Sequence, residues 1–71
     1  MDGSVYKVVE IVGTSSESWE KAARTAVETA ASTLRDLRVG EVTKLDVAIE
    51  DGRITAYRVR LSVSFKYEGR D

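Results

Sequence analysis

Residues 13–40, which decide the fold, read GTSSESWEKAARTAVETAASTLRDLRVG. Apolar residues recur in this stretch at steps of three and four, which places them on one stripe of an α-helix. The members of the stripe are Trp19, Ala22, Ala23, Ala26, Val27, Ala30, Ala31, Leu34 and Leu37. Because most of them are alanines, we expect a helix that packs closely against a sheet, with Trp19 as a large anchor near its start.

Both ends of this helix carry residues that are typical of helix caps. Thr14 with Glu17 fits a capping box, and Ser15 is an equally good N-cap. At the other end, Arg38 lies where the helix dipole favours cations, and Gly40 fits the C′ position just past the last turn. The sequence therefore predicts a helix that continues almost to Gly40.

The segments on either side of the helix alternate with a period of two, as β-strands do. Residues 5–12 predict a first strand with apolar residues on both faces, residues 41–50 a second strand, and residues 53–67 a third. A two-residue loop at Asp51-Gly52 would set the apolar face of one strand against the polar face of the next. We therefore expect a longer loop, residues 50–52, with a G1 bulge at Gly52.

These elements predict a single α+β domain over residues 1–71, with residues 1–4 and 69–71 frayed. The order is βαββ, and placing the longest strand in the middle gives a three-stranded antiparallel sheet of order 1-3-2 wrapped around one helix. A strand of about 15 residues spans roughly 50 Å, whereas a compact chain of this size is roughly 30 Å across. We therefore expect the third strand to curl or to project beyond its own subunit, and the chain to form a homo-oligomer.

Composition excludes several classes of function. The chain has 0 Cys and 0 His, which excludes disulfides, thiol or imidazole catalysis, and zinc sites built on those residues. A net charge of -1 offers no basic field for nucleic acid, and no apolar run is long enough to span a membrane. Residues 1–4 lack the features of a signal peptide. We therefore expect a cytoplasmic, non-enzymatic protein that binds neither nucleic acid nor membranes.

Charged residues near the predicted hairpin are the candidates for binding. Asp46 and Glu50, with Asp51 close by, offer oxygen ligands of the kind that Ca²⁺ takes. The simpler interpretation, which the strand pattern favours, is an ion pair between Asp46 and its diagonal neighbour Arg58. A basic stripe could hold a phosphate, although solvated charge at an interface is the favoured interpretation. The stripe consists of Lys44, Arg58, Arg60 and Lys66.

Two stretches resemble the dodecin family: VYKVVEIVGTSSESWEKAARTAVETAASTLRDLRVGEV (residues 5–42) and IEDGRITAYRVRLSVSFKYE (residues 49–68). The most specific parts are VYKVVEIVGTS, the TLRDLR run and the closing SFKYE. The resemblance implies a hollow homododecamer, which would explain the over-long strand. It also implies flavin sites at subunit interfaces, where dodecins bind flavins in pairs as a buffer and not as a redox enzyme.

The residues that bind flavin in the family are replaced by other residues in this chain. Val39 stands where the family has a tryptophan that stacks on the isoalloxazine ring, and Gly40 where it has a phenylalanine. Arg58 replaces a glutamine that hydrogen-bonds the ring edge, and Asp46 replaces an arginine. Loss of stacking worth about 1–3 kcal/mol would weaken binding by about tenfold to over a hundredfold.

The chain resembles a calcium-binding branch of the family, which lacks the tryptophan, more than it resembles the flavin binders. The leading hypothesis is a dodecin-like shell that has lost tight flavin binding and binds or stores a small ligand, Ca²⁺ among them. Asp46 and Glu50 are its candidate metal ligands, and Val39, Arg58 and Asp46 mark the flavin-site positions. The alternatives are a riboflavin- or FMN-buffering dodecin with a remodelled pocket, and a structural assembly without a specific ligand.

Overall fold

A computed structural model describes residues 3–67 and contains one helix and three strands in that range. The elements are β1 (Tyr6–Ser15), α1 (Trp19–Ala31), β2 (Leu37–Glu50) and β3 (Arg53–Lys66). β3 lies between β1 and β2 and pairs antiparallel with both. The predicted βαββ order and the 1-3-2 sheet are therefore confirmed. Of the segments predicted to be frayed, residues 1–2 and 69–71 lie outside the described range.

The helix begins later than the capping pattern predicts. Ser18 is its N-cap, and the Ser18 hydroxyl accepts a hydrogen bond from the backbone N–H of Lys21 at 3.0 Å. Thr14 and Ser15 belong instead to β1, so the predicted caps are wrong. Ser15 still shapes the connection, because its hydroxyl accepts from the N–H of Glu17 at 3.0 Å. The turn from strand to helix therefore uses this serine as a local acceptor.

The helix also ends nine residues before Gly40, so the predicted C-terminus is wrong. It stops at Ala31, and Leu37 already begins β2. Asp36 adopts a left-handed conformation with φ of 60°, and its carbonyl accepts a hydrogen bond from the N–H of Lys66 at 3.2 Å. The residues from Leu37 onward could continue the apolar stripe of the helix, but pairing with β3 stabilises them as a strand. Tertiary contacts here outweigh local helix propensity.

Small residues bring the helix and the sheet into close contact. The buried core consists of Ala22, Ala26, Val59, Leu61 and Val63. Gly13 on β1 faces this helix, and a Cβ atom there would overlap the carbonyl oxygen of Ala22 and lie 2.8 Å from the Cβ of Ala26. The alanine stripe therefore packs against a glycine in the strand, as the expectation of close packing requires.

The hairpin between β2 and β3 turns in two residues. Asp51 and Gly52 both have positive φ, 51° and 73°, which is the geometry of a type I′ turn. The predicted three-residue loop with a G1 bulge at Gly52 is therefore wrong, because Glu50 already pairs with Arg53. The extra residue that restores the alternation is Thr55, because Ile49 pairs with Ile54 while the next pair joins residues 48 and 56.

Two further bulges interrupt β2, at Arg38 and Thr43. Thr43 and Thr55 each donate a side-chain hydrogen bond to the opposite strand, Thr43 to the carbonyl of Arg60 at 3.2 Å and Thr55 to that of Ala48 at 3.3 Å. The bulges at Thr43 and Thr55 each shift the strand by one residue and so return the apolar side chains beyond them to the face that carries the helix. The bulge at Arg38 instead turns Val39 to the opposite face.

Replacing Gly52 with alanine should lower the free energy of unfolding by about 1 kcal/mol, because an L side chain is strained at positive φ. No atom lies within 4 Å of the Cβ position, so conformational strain alone is at issue. The measurement is the midpoint of urea unfolding. The matched control is Asp51→Asn, since asparagine tolerates this conformation, and it should unfold like the wild type. An unchanged midpoint for Gly52→Ala would contradict the turn geometry.

The subunit is elongated, with principal extents of 56 × 20 × 15 Å and a radius of gyration of 14.9 Å. A compact chain of this length would have a radius near 11 Å. The 13 residues of α1 cover about 20 Å, whereas the 14 residues of β3 span about 46 Å. The hairpin therefore projects beyond the helix, as the length of the third strand predicts. Within residues 3–67, no helix is long and apolar enough to cross a membrane.

Candidate functional site

Asp46 and Arg58 form an ion pair on the face of the sheet opposite the helix. They are directly opposed partners on β2 and β3, with Arg58 Nε 2.7 Å from Asp46 Oδ1 and Nη2 3.2 Å from Oδ2. This two-point geometry is the strong form of an arginine–carboxylate contact. The predicted ion pair is confirmed, although the two residues are direct rather than diagonal neighbours.

The same pair controls the protonation of Asp46. The hydrogen bond from Arg58 holds the pKa of the Asp46 carboxyl below its ordinary value of 3.8, and the charges of Arg58, Arg60 and Lys44 act in the same direction. The pKa of Arg58 is raised in turn by its bond to Asp46. Asp46 is therefore ionised, and can pair with Arg58, throughout the physiological pH range.

On the helix side of the sheet, Trp19 contacts the backbone of the same strand. Its indole N–H donates to the carbonyl of Asp46 at 3.0 Å, and its ring meets that of Tyr57 edge to face, with centroids 5.1 Å apart and an interplanar angle of 76°. Such aromatic pairs add to the stability gained by burial alone. Trp19 thus ties the start of α1 to the hairpin, as its predicted role of anchor requires.

Acidification should remove the contribution of the Asp46–Arg58 pair to stability. Because the folded-state pKa of Asp46 is lowered, the pair stabilises the fold above about pH 4, and this contribution disappears as the pH falls through that lowered value. In Asp46→Asn the charge is absent, so its melting temperature should depend less on pH below about 4 than that of the wild type. The effect is modest, since both side chains are over two-fifths exposed. Parallel melting curves for the two proteins would contradict it.

Val39 lies far from this pair in a single subunit. It is opposite Ser64, which is six positions from Arg58 along β3, a separation of about 20 Å. The side chain of Val39 is 62% exposed. Of the three positions that the resemblance assigns to a flavin site, one subunit therefore brings Asp46 and Arg58 together and leaves Val39 apart.

The candidate metal ligands are also apart. Asp46 and Glu50 lie four positions apart on β2, about 13 Å, and Asp46 is held by Arg58. Across residues 3–67, no group of three His, Cys, Asp or Glu side chains is close enough to hold a metal ion. One subunit by itself therefore does not supply a Ca²⁺ site at these residues.

Sequence reasoning identified the basic stripe on the face of the sheet opposite the helix, called here the outer face, but missed the acidic residues beside that stripe. Glu10 and Glu41 flank Ser62, one on each neighbouring strand. The sequence feature that could have predicted the position of these glutamates is the spacing of three residues between Val42 and Leu45. A strand keeps both on one face only if it bulges between them, and that bulge fixes which charged residues share the other face.

Two open grooves flank the helix. One, of about 530 Å³, lies between α1 and β1, and the other, of about 420 Å³, lies between α1 and β2. The second has an apolar floor that includes Gly40, Val42 and Leu61, below a rim that carries the Glu20–Arg24 ion pair. Each groove is a part of the sheet that one helix leaves uncovered.

Comparisons with known proteins agree on one family. The dodecin family model matches residues 5–68. Calcium dodecin from Mycobacterium tuberculosis is 48% identical over 63 residues, 89% of each chain. A crystal structure of that calcium-chelating protein, at 46% identity, gives a TM-score of 0.82 over 96% of this chain and 97% of the other. The dodecin structure from Streptomyces coelicolor gives 0.91 at 40% identity, covering 99% and 100%. Dodecin from Thermus thermophilus is 42% identical over 66 residues, 93% of this chain and 96% of the relative.

Proposed function

The chain belongs to the dodecin family, and we propose that it forms a homododecameric shell that binds and stores Ca²⁺ without catalysing a reaction. The observation that carries the choice of ligand is the likeness to calcium dodecin, 48% identity over 89% of each chain. The likeness to the Thermus thermophilus dodecin is lower, at 42%.

The shape of the subunit supports assembly. Within residues 3–67, five core residues are buried, whereas large apolar side chains of the projecting hairpin are exposed, among them Leu45 at 51%, Ile49 at 63% and Ile54 at 54%. A small chain without disulfides gains stability when neighbouring copies cover such surfaces. Native mass spectrometry should show twelve copies, and a monomer at micromolar concentration would overturn the shell.

The Ca²⁺ site that we propose lies between copies, because one subunit does not assemble it. Glu50, at the exposed end of the projecting hairpin, and Asp46 are the proposed contributors. Asp46 can contribute because the two hydrogen bonds from Arg58 leave a further lone pair on each of its oxygens. Ca²⁺ accepts oxygen ligands from several chain segments in flexible geometry. The hairpin extends beyond its own helix and can therefore present carboxylates to a neighbouring subunit.

Calcium titration calorimetry tests this proposal. The assembled wild type should release or absorb heat on binding Ca²⁺, and its melting temperature should fall when a chelator is added. Glu50→Gln should reduce the heat, whereas Glu17→Gln, in the turn before α1, should leave it unchanged. If the Ca²⁺ titration gives no binding heat and the chelator leaves the melting temperature unchanged, Ca²⁺ is excluded as the ligand.

Flavin is the ligand that the residue changes argue against. Val39 offers no aromatic plane for stacking, and the guanidinium of Arg58 is already engaged by Asp46. We expect added riboflavin or FMN to retain most of its fluorescence at micromolar protein. Quenching with micromolar affinity would favour the alternative of a flavin-buffering dodecin with a remodelled pocket.

A further inference from the structure

Two basic residues on the outer face oppose each other directly. Lys44 on β2 is the pairing partner of Arg60 on β3. On its other side Arg60 is opposite Val12 of β1, so neither neighbouring strand places a carboxylate in this row. Like charges at directly opposed positions destabilise a sheet. The row is therefore more stable when a negative charge from outside it lies between the two basic groups.

The adjacent row adds a third positive charge. Arg58 lies two positions from Arg60 on β3, about 7 Å away, and Asp46 lies two positions from Lys44 on β2. No bulge separates the members of either pair, so all of these side chains share the outer face. The charges of Arg60 and Lys44 act with that of Arg58 to lower the pKa of Asp46. The basic groups of both rows thus act on a single carboxylate.

That carboxylate leaves the opposed pair without a counterion. Both oxygens of Asp46 accept hydrogen bonds from Arg58, at 2.7 and 3.2 Å. Among residues 3–67, the other ion pairs within 4.0 Å lie on or next to α1. Lys44 and Arg60 belong to none of these pairs. Because Lys44 is exposed, an ion from solution can reach its ammonium group.

Two glutamates border this site on its other side. Glu10 and Glu41 each lie opposite Ser62, one row beyond Arg60. Within residues 3–67, neither forms an ion pair within 4.0 Å. Their negative charges repel any anion that extends in their direction. The space that favours an anion is therefore limited to the two basic rows, and it suits one small, compact group.

We propose that Lys44, Arg58 and Arg60 form a binding site for a small oxyanion with the chemistry of a phosphate or sulfate group. The guanidinium of Arg60 can donate two parallel hydrogen bonds to a tetrahedral oxyanion, and the ammonium of Lys44 adds a point charge. Arg58 keeps its contact with Asp46 and contributes its charge. One subunit supplies the whole site, so the inference goes beyond the proposed function and depends on neither Ca²⁺ nor assembly.

Phosphate titration tests the site. Phosphate should raise the melting temperature of the wild type above its value in sodium chloride of the same ionic strength. The matched ionic strength is needed because salt alone screens charge repulsion. In titration calorimetry, Lys44→Gln and Arg60→Gln should each weaken phosphate binding by about tenfold or more, because each removes hydrogen bonds between charged groups. If Arg60→Gln does not fold, Arg60→Lys keeps the charge, removes the fork and should also bind more weakly.

The protein without phosphate provides a second measurement, in which the effect has the opposite sign. At low ionic strength, Lys44→Gln should melt at a higher temperature than the wild type, because the substitution removes the opposition of like charges. Saturating phosphate should reverse this order, since the wild type gains more binding free energy. A lysine with a purely structural role would give the same order in both buffers, and that result would overturn the site.

Lys21→Gln is the matched control. It removes the same charge from α1, where Lys21 pairs with Glu17, and it should bind phosphate like the wild type. Equal weakening in Lys21→Gln and Lys44→Gln would show a general effect of net charge and would overturn the proposal. An unchanged melting temperature of the wild type in phosphate, sulfate and glycerol phosphate would also overturn it.

The choice of anion identifies the source of the oxyanion. Equal binding of inorganic phosphate and glycerol phosphate would support a free ion as the ligand. Tighter binding of glycerol phosphate would support the phosphate group of a small organic molecule. All of these titrations are made without Ca²⁺. Failure of the Ca²⁺ proposal therefore leaves the anion site standing, and loss of the anion site leaves the Ca²⁺ proposal untouched.

Discussion

Replacing Gly13 with alanine is expected to lower the free energy of unfolding by about 3 kcal/mol. The added methyl group would overlap the backbone carbonyl of Ala22 and crowd the side chain of Ala26. A backbone oxygen in a helix cannot rotate away, so the helix has to move off the sheet and expose part of the core. For a domain whose total stability is about 5–15 kcal/mol, a loss of this size is large.

The matched control is Gly40→Ala. Gly40 is also a strand glycine, but a Cβ there would meet only the Cδ2 of Leu61, at 3.7 Å. This is ordinary van der Waals contact, and alanine is favoured over glycine in a strand by about 0.5–1 kcal/mol. Urea unfolding of the two variants gives the comparison. Equal midpoints for Gly13→Ala and Gly40→Ala would show that the helix does not rest on Gly13.

Replacing Val39 with tryptophan is expected to strengthen flavin binding by about tenfold to a hundredfold, the equivalent of one stacked ring. Val39 is the position at which the family resemblance places the stacking tryptophan. Its side chain is 62% exposed on the outer face, so a larger side chain meets no packed core. Quenching of riboflavin fluorescence in a titration gives the measurement.

Val8→Trp is the control for this substitution. Val8 lies in the same row, on the other side of Ser64, and is 63% exposed. A tryptophan at Val8 adds the same aromatic surface without the position that the family uses. Equal gains for the two variants would mean that any exposed ring recruits flavin, and no gain at Val39 would show that the site lacks more than its aromatic plane.

The sequence was sufficient for the order of elements and for the topology of the sheet. Alternation over β3 is long and regular, and a strand of that length had to lie between the two others. The ion pair of Asp46 with Arg58 was predictable for the same reason, because two opposite charges at matching positions of a hairpin fall on one face.

The ends of the helix could not be predicted from its apolar stripe. Leu34 and Leu37 continue the helical spacing, yet Leu37 belongs to β2 and pairs with Phe65. The deciding residue is Asp36, whose left-handed conformation turns the chain toward β3. A single residue at positive φ leaves no periodic signal, so tertiary pairing overrides the local pattern.

The candidate site was only partly predictable. Which charges share a face depends on the bulges at Thr43 and Thr55, and these are visible only as spacings of three between apolar residues. The separation of Val39 from Arg58 follows from their register on β3. A site shared between copies cannot be located from the residues of one chain alone, because symmetry supplies half of its geometry.

The three bulges also have a consequence for curvature. Each one bends its strand and increases the local twist, and together they lie along the whole length of the two strands that form the hairpin. In a closed shell, the arc of a subunit sets the angle at which it meets its neighbours. In the shell that we propose, the radius therefore depends on unpaired residues such as Thr43 and Thr55, which bury little surface but decide how strongly the long strands curl.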